Sequence, residues 1–487
     1  AAHLRGGRAP AAILRAAKPR NLIASARRLA SRCRSSRMAS APTAPAAATA
    51  ALSATGPPPL AASAAEAVSA GLTEKVAAAA GTRVPETHLR VGHRYQGKVR
   101  DVYDLGDAVL FVATDRLSAF DRSLAVVPLK GAVLNLISHW WFEKLAGVVP
   151  NHVVRLADPN AVLVQRCEVF PIEVVVRGFI TGTTSTSLWT HYRDGAREFC
   201  GETFPDGLRK NDRLSAAVLT PTTKEAEHDR PISPADIVKE GWMTQADWDT
   251  VSAYAMAAFE AGQRIAAEHG LLLVDTKYEF GRAPDGTICL VDEVHTPDSS
   301  RYWLASTYEA RHAAGEEPEN IDKEFLRLWF RARCDPYADA TVPEAPAELV
   351  SELSRRYVLL YEMITGEAFD FAACGGDAAG RIRKAVEAIQ SPAEKVVVAL
   401  ASSYAQADRA AKAARTRADA QGAASEVYTC PTPVKAAEAA AAVAALAAAA
   451  GPGAVSVLVV GESDEACALL EASLASAGVD ASCVARA

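Results

Sequence analysis

The segment LVDTKYEFG, Leu273 to Gly281, carries three charged residues at alternate positions of an otherwise apolar run. Asp275, Lys277 and Glu279 share one face if the segment is a β-strand, because successive side chains of a strand alternate between its two faces. A solvated outer face is the simplest interpretation of such a strand. The alternative is a site that uses the charges, and the surrounding sequence decides between them.

The segment that follows favours a site. The turn-rich loop GRAPDG leads into TICLVDEVHTPDSSRYW, which predicts a second strand with Asp292 and Glu293 at its end. A hairpin centred on the loop places Asp275 opposite Asp292, and Glu279 opposite Ile288. Crowded carboxylates are unfavourable unless a cation neutralises them. Mg²⁺ binds one or two carboxylates together with substrate phosphates, so the hairpin predicts a magnesium site.

Two further segments are candidates for phosphate binding. In YQGKVRDVYDL, Gly97-Lys98 begins a hairpin that turns at Gly106-Asp107, and its backbone amides and ammonium group could approach phosphates. The Walker pattern GxxxxGK[ST] is absent. A Gly-Lys pair is common, so this motif alone is weak evidence.

The other candidate is VVVRGFITGTTSTSLW, in which Arg177 follows an apolar strand and hydroxyl residues surround Gly182. Arginine with hydroxyl and glycine backbone donors can clamp a phosphomonoester, although an ordinary surface loop has the same composition. Arg301, in TPDSSRY just beyond the acidic hairpin, is a second candidate, for which a surface ion pair is the alternative. Together the segments indicate magnesium, a polyphosphate and a phosphorylated small molecule.

The distribution of charge limits the other ligands. Residues 1–65 contain ten of the 52 basic residues and none of the 58 acidic ones, so the remaining chain has a net charge of −16. An acidic body is a poor non-specific binder of nucleic acid. No run of about 18 apolar residues indicates a membrane span. We therefore expect small-molecule ligands, with neither nucleic acid nor membrane as a partner, while a homo-oligomer stays possible.

The N-terminal composition predicts a targeting segment. Residues 1–65 are rich in Arg, Ser and Ala and lack acid, which is typical of an organelle transit peptide, although a disordered tail has a similar composition. We expect the plastid stroma, with mitochondrion or cytoplasm as alternatives. The nine cysteines include no CxxC pair, which favours reduced thiols.

The order of predicted elements favours a mixed α+β or α/β fold. We predict helices from about 131 to 145 and over TQADWDTVSAYAMAAFEAGQRIAAEHG, where Thr244 and Asp247 supply a start signal. Two strands are expected within 161–180, broken at Pro171. Residues 66–88 and 373–392 are expected to be linkers around a catalytic domain at 89–372. The Ala-rich residues 393–487 predict a small, separate, parallel βαβ module.

Several of these segments resemble one enzyme family. In chain order the matching motifs are QGKVRDVYDL, ATDRLSAFDR, VFPIEVVVRGFITGT, TPTTKEAEHD, LVDTKYEFG and VDEVHTPDSSRYW. They are similar to the SAICAR synthetase (phosphoribosylaminoimidazole-succinocarboxamide synthetase) family of purine biosynthesis, of the plant or algal type. The resemblance covers roughly 89–371. It implies a β-rich N-terminal lobe and an ATP-grasp-like lobe, with ATP in the cleft between them.

The resemblance also implies a reaction and its residues. ATP phosphorylates the carboxylate of CAIR, an aminoimidazole ribonucleotide, and the amine of L-aspartate then displaces phosphate to give SAICAR. Glu279 and Asp292 would hold Mg²⁺, and Lys98, Lys277 and Asp275 would be catalytic. The implied ligand contacts are ATP by Gly97, Lys98 and Lys224; the ribonucleotide phosphate by Arg177, Thr183 and Arg301; and the imidazole substrate or aspartate by Asp121, Asp229 and Asp275. Thr183 stands where the family usually has serine, and the hydroxyl is retained.

Two alternatives remain for the catalytic domain: a kinase-like phosphotransferase and a non-catalytic nucleotide-binding regulator. The protein-kinase strings HRD and DFG are absent, which disfavours the first. The C-terminal module faintly resembles the start of an AIR carboxylase, but only Ala401-Ser402-Ser403-Tyr404-Ala405 stands where that family has Gly-Ser-x-Ser-Asp, and no histidine follows His312. We expect it to be degenerate or unrelated, with a use in packing or assembly.

Overall fold

A computed structural model describes residues 71–487 apart from 121, 185, 226–228, 388, 390–394, 404–405, 422, 451–453, 462, 481–482 and 487. The expected transit peptide at 1–65 lies outside these residues. Within them, the strands are β1 His93–Gln96, β2 Arg100–Asp104, β3 Ala108–Ala113, β4 Arg116–Ala119, β5 Arg122–Val126, β6 Val153–Asp158, β7 Ala161–Gln165, β8 Glu168–Phe179, β9 Glu198–Phe199, β10 Glu202–Thr203, β11 Arg213–Leu219, β12 Thr222–Thr223, β13 Leu271–Arg282, β14 Ile288–Val291, β15 Ser300–Leu304, β16 Val396–Ala401, β17 Ala424–Thr429, β18 Val455–Val460 and β19 Val484–Arg486.

The helices lie between and after these strands. They are α1 Leu72–Ala78, α2 Lys130–Lys144, α3 Leu188–Arg193, α4 Pro234–Lys239, α5 Gln245–Glu268, α6 Ala305–Ala313, α7 Glu324–Arg331, α8 Ala347–Thr365, α9 Phe371–Cys374, α10 Ala378–Glu387, α11 Ala407–Gln421, α12 Pro433–Ala450 and α13 Asp464–Ser476, with a 3-10 turn at Ala79–Gly81. Both predicted helices are confirmed. The hydroxyl of Thr244 accepts a hydrogen bond from the Asp247 amide at 3.2 Å and so caps α5, as its start signal predicts.

Most of the strands between His93 and Leu304 belong to two sheets. The N-terminal strands lie in the order β1-β2-β3-β7-β6, and the second sheet has the order β11-β8-β13-β14, with β12 on β8 and β15 on β13. The predicted hairpin of β2 and β3 is confirmed. The main apolar core includes side chains of α2, α5 and α8 together with β8 and β13. A mixed α+β, two-lobed architecture is therefore confirmed.

The charged hairpin forms, but its predicted register is wrong. Glu279 pairs with Val291, not with Ile288, because the turn is centred on Asp285, further along the chain than predicted, and this shifts the pairing by three residues. The Ala283 amide donates to the Thr287 carbonyl at 2.8 Å and closes this turn. The second arm ends at Val291, since Asp292 has a φ of 66° and leaves the strand. Strand β15 pairs with the first half of β13 instead, which places Arg301 opposite Asp275.

The predicted break at Pro171 is also wrong, because Pro171 lies inside β8. The register between β8 and β13 shifts between the pairs Glu279–Glu173 and Gly281–Val169, so two more residues lie on β8 than on β13 in this interval. Proline within a sheet is tolerated at such a bulge, since no ladder hydrogen bond needs its missing amide. The chain breaks earlier, between β7 and β8.

The C-terminal module has the predicted parallel strands, but it is not separate. Its order β19-β18-β16-β17 continues directly into β1, which makes one nine-stranded sheet. The segments expected to be linkers also carry structure. Helix α1 buries Leu72 and Val76 in the main core, and α10 buries Ile382 and Val386 in a smaller cluster of the N-terminal lobe. The domain boundaries at 89–372 and 393–487 stay a prediction from sequence.

No helix within the described ranges is long and apolar enough to cross a membrane. The eight cysteines in the same ranges are all free thiols.

Candidate active site

Two buried arginines converge on one carboxylate in the centre of the second sheet. Asp275 of β13 has Arg177 of β8 as its neighbour on one side and Arg301 of β15 on the other. Asp275 Oδ2 accepts from Arg177 Nη1 at 3.2 Å and from Arg301 Nη1 at 2.6 Å. Only 3% of Asp275 is exposed, so the outer-face interpretation of this strand is excluded. Burial lowers the pKa of Arg177, and the neighbouring Arg301 lowers it further against the pull of Asp275.

A hydroxyl and a second carboxylate complete this cluster, which we call the arginine clamp: Arg177, Thr183, Asp275, Arg301 and Glu324. Thr183 Oγ1 donates to Glu324 Oε1 at 2.6 Å, and Arg301 Nη2 donates to Glu324 Oε2 at 3.2 Å. Gly182 has a φ of 104°, and a Cβ there would lie 2.5 Å from the Cβ of Ser187 and 3.1 Å from Arg301 Nη2. The loop that presents Thr183 therefore requires glycine at this position. The sequence reasoning missed Glu324, which opens α7 in a segment without a recognisable motif.

The other charges of β13 form a ladder of alternating sign. Lys277 Nζ donates to Glu279 Oε1 at 2.8 Å and to Glu173 Oε1, on the neighbouring β8, also at 2.8 Å. Lys224, which follows β12, donates to Glu279 Oε2 at 2.6 Å. Burial would raise the pKa of Glu279, but the two lysines hold it below its usual range. Glu279 is therefore ionised at neutral pH.

Asp292 and Glu293 face the N-terminal lobe through Arg100, the first residue of β2. Arg100 forms an ion pair with Asp292, and its Nη2 lies 3.0 Å from Glu293 Oε2. Burial raises the pKa of Asp292 against the pull of Arg100, and Glu279 and Glu293 raise it further. The N-terminal lobe thus contacts the second sheet through Arg100, which lies against two mutually repelling carboxylates, Asp292 and Glu293.

The Gly97-Lys98 turn lies directly before this contact and joins β1 to β2. The Gly97 amide donates to the Arg100 carbonyl at 2.8 Å, which closes the turn. Arg116 fixes its other side, since Nη2 donates to the Gly97 carbonyl at 3.0 Å and Nε to the Lys98 carbonyl at 3.3 Å. Lys98 is exposed at the tip. Arg100 and Arg116 lie within the motifs QGKVRDVYDL and ATDRLSAFDR, but neither was predicted as a site residue, because a single arginine in a strand does not by itself indicate a role.

Two predicted residues stand apart from this arrangement. Asp121 lies outside the described residues. Asp229 is exposed in the segment after β12, and its proposed contact with substrate stays a prediction.

The carboxylates suit a magnesium ion in their chemistry. Glu279 and Asp292 offer hard oxygen ligands, and their mutual repulsion is a reason for a cation to bind between them. The described residues contain no group of three or more His, Cys, Asp or Glu side chains arranged to hold a metal.

Taken together, the described residues place the glycine-lysine turn beside the contact of Arg100 with Asp292 and Glu293, and the arginine clamp on the same sheet as Glu279. Such a set can bind a nucleoside polyphosphate at one end and a phosphorylated small molecule at the other. It defines an enzyme of the nucleotide-dependent group-transfer class.

Comparison with known proteins identifies the family. A family model described as SAICAR synthetase matches residues 93–343. The phosphoribosylaminoimidazole-succinocarboxamide synthase of Legionella pneumophila (strain Paris) is 61% identical over 297 residues, which cover 61% of this chain and 95% of that protein. The chloroplastic synthase of Arabidopsis thaliana is 59% identical over 277 residues, covering 57% of this chain and 67% of that protein.

A solved structure agrees with these relatives. The SAICAR-synthase from Saccharomyces cerevisiae complexed with SAICAR is 31% identical, covers 59% of this chain and 99% of that chain, and has a TM-score of 0.51. The chain belongs to the SAICAR synthetase family. The family match ends at residue 343, so it leaves the C-terminal module without a counterpart in the family model.

Proposed function

We propose that the junction of the two lobes is the active site of an ATP-dependent ligase of purine biosynthesis, which joins L-aspartate to CAIR and releases SAICAR, ADP and phosphate. The family relationship carries this assignment, and the presence of both the arginine clamp and the glycine-lysine turn supports it. A carboxylate is a poor electrophile until one of its oxygens becomes part of a good leaving group, and ATP provides that change.

The reaction has two bond exchanges. A carboxylate oxygen of CAIR attacks the γ-phosphorus of ATP, and the bond from that phosphorus to ADP breaks, which leaves an acyl phosphate. The neutral amine of aspartate then attacks the acyl carbon, the bond to phosphate breaks, and the nitrogen gives up one proton to the departing phosphate, which leaves the amide. Positioning and charge stabilisation carry most of the catalysis of phosphoryl transfer.

The residues of the site divide this work. Lys98 at the tip of its turn and Lys224 beside Glu279 neutralise the phosphates of ATP, with Gly97 permitting close approach. Glu279 and Asp292 would hold Mg²⁺, which supplies charge neutralisation at the transferring phosphoryl group. Lys277 keeps Glu279 ionised and aligned, since it lies 2.8 Å from one of its oxygens.

The arginine clamp binds the ribonucleotide phosphate. Arg177, Arg301 and Thr183 supply its donors, and Asp275 accepts from both guanidinium groups, so their geometry is set before the substrate arrives. This gives Asp275 a supporting use besides the substrate contact expected from the resemblance. Asp121 and Asp229 stay candidates for orienting the imidazole or aspartate.

ADP release by purified protein tests the proposal against its two alternatives. With Mg-ATP and CAIR, a ligase gives stoichiometric ADP and SAICAR only when L-aspartate is present. A phosphotransferase gives ADP without amide, and a regulator gives no ADP. Either of the last two outcomes contradicts the proposal.

We propose a plastid location as well. The Arabidopsis thaliana and Vigna aconitifolia relatives are named chloroplastic, and the basic, acid-free residues 1–65 suit a transit peptide. Import of a fluorescent fusion of residues 1–70 into isolated chloroplasts tests it. A fusion that stays outside would contradict a plastid location. Self-association into a homo-oligomer is a separate proposal, which light scattering of the purified protein would test.

A further inference from the structure

The C-terminal module completes the sheet beside the glycine-lysine turn. Strand β1, which leads into that turn, pairs with β2 on one side and in parallel with β17 of the module on the other. His93, Arg94 and Tyr95 lie opposite Ser425, Glu426 and Val427. Without β17, β1 would be an edge strand with one row of backbone groups unpaired. The module therefore contacts the strand that positions the turn.

A buried arginine connects the two sides of this seam. Arg94 is 1% exposed and lies between carboxylates of both sides. Its Nη1 is 3.6 Å from Glu426 Oε2 in the module, and its Nη2 is 3.3 Å from Asp101 Oδ2 in β2. Its guanidinium also lies 4.9 Å from the centre of the Tyr428 ring. Burial opposes the charged form, but Asp101 and Glu426 raise the pKa of Arg94 well above its usual value.

Asp101 continues the connection to the turn. It is fully buried, and its Oδ1 accepts from Arg116 Nη2 at 2.9 Å. The same Arg116 donates to the carbonyl oxygens of Gly97 and Lys98. An unbroken series of ion pairs, ending in hydrogen bonds, thus runs from the module to the backbone of the turn: Glu426, Arg94, Asp101, Arg116 and the Gly97-Lys98 carbonyl groups.

We propose that the C-terminal module is a positioning element for ATP, in which Glu426 acts through Arg94, Asp101 and Arg116 to hold the glycine-lysine turn in its phosphate-binding form. The inference rests on the proposed function, since it takes this turn as the ATP site. The links are buried, where charges interact strongly, so a change at one end alters the orientation of the next group. None of the four side chains needs to touch ATP.

The substitution Glu426→Gln tests the proposal, because it removes the charge and keeps the size. We expect the KM for ATP, and the Kd of a non-hydrolysable ATP analogue, to rise three- to tenfold. The kcat and the KM values for CAIR and aspartate stay within twofold. Ser425→Ala, which removes a 2.8 Å contact with His93, and Arg415→Ala, which removes an ion pair with Asp104, are the controls. Both disrupt module contacts outside the series and should leave ATP binding unchanged.

A KM for ATP that stays at the wild-type value in Glu426→Gln, or that rises equally in all three variants, overturns the proposal in favour of simple packing. If Glu426→Gln does not fold, Tyr428→Phe replaces it, because it removes the 3.0 Å hydrogen bond to Glu426 Oε2 and keeps the ring. The same selective rise, of smaller size, is then expected, and an unchanged KM overturns the proposal.

Analogue binding needs neither CAIR nor aspartate, so it separates the two proposals. Wild-type protein that binds the analogue but forms no amide contradicts the ligase assignment and leaves the test of the module intact. Wild-type protein that does not bind the analogue contradicts both.

Discussion

Replacing Asp275 with asparagine should destabilise the protein far more than the removal of one charged group from its surface. Asp275 Oδ2 lies 3.2 Å from Arg177 and 2.6 Å from Arg301, and all three residues are at most 9% exposed. Removing one partner of a buried ion pair costs ~3–5 kcal/mol, because the other charge is left uncompensated. Arg301 still forms its ion pair with Glu324 at 3.2 Å in the variant, so we expect a loss of stability at the lower end of this range, about 3 kcal/mol.

Thermal unfolding of the purified variant measures this effect. At roughly 2 °C for each kcal/mol in a domain of this size, Asp275→Asn should lower the midpoint by about 6 °C. Asp247→Asn is the matched control, since Asp247 pairs with Arg282 of the same strand near the surface. Such a pair contributes about 1 kcal/mol or less, which corresponds to about 2 °C at most.

The same variant tests the use of the clamp. Inorganic phosphate should raise the unfolding midpoint of Asp275→Asn more than that of wild type, because the anion replaces the missing counter-charge. A ligand at 100 times its Kd adds about 2.7 kcal/mol. The reasoning would be refuted if Asp275→Asn lowered the unfolding midpoint no more than Asp247→Asn does. It would also be refuted if phosphate raised the midpoints of Asp275→Asn and wild type equally.

Three further predictions address the remaining parts of the site. Arg177→Ala should raise the KM for CAIR about 100-fold and change the KM for ATP by less than about threefold, since one charge-assisted phosphate contact contributes about 2–3 kcal/mol; equal loss for both substrates would place Arg177 elsewhere. Glu279→Gln should abolish turnover while the circular dichroism spectrum is unchanged, and normal turnover would show that the magnesium assignment is wrong. Burial, with a smaller effect of Arg100, lowers the pKa of His152 to about 3, so the unfolded chain binds a proton below pH ~6.5 that the folded protein does not. The stability that His152 contributes is complete above that pH and falls by up to about 1.4 kcal/mol per unit as pH decreases toward 3. Denaturant titrations at several pH values give the free energy of unfolding as a function of pH. Below pH ~6.5 this free energy should depend on pH less steeply in His152→Gln than in wild type, by the amount just given, and an identical pH dependence would refute the prediction.

The sequence predicted the elements of the site better than their contacts. The alternation in β13 was enough to place Asp275, Lys277 and Glu279 on one face, because a period of two is intrinsic to a strand. The register of the hairpin depended on which residues form the five-residue turn, 283–287, and composition alone does not show that this turn begins after Arg282. The partner of Asp275 was therefore predicted as Asp292, whereas the structure places Arg301 there.

Long-range partners explain the other gaps. Arg100, Arg116 and Glu324 are far from Asp292, Gly97 and Thr183 in sequence, and a charged residue in a strand or at a helix start is usually solvated. The joining of the module to β1 was missed for the same reason. The sequence of its strands is typical of a complete parallel unit. The sequence of a strand does not indicate which neighbouring sheet it will extend.

Oxygen transfer from CAIR to phosphate tests the central claim most directly. With CAIR labelled with ¹⁸O in its carboxylate, and with Mg-ATP and L-aspartate present, the acyl phosphate route sends one labelled oxygen into inorganic phosphate in each turnover, and the amide keeps the other. Mass spectrometry of the phosphate and of SAICAR should show both. Unlabelled phosphate would mean that ATP is cleaved without activating the carboxylate, and it would contradict the account.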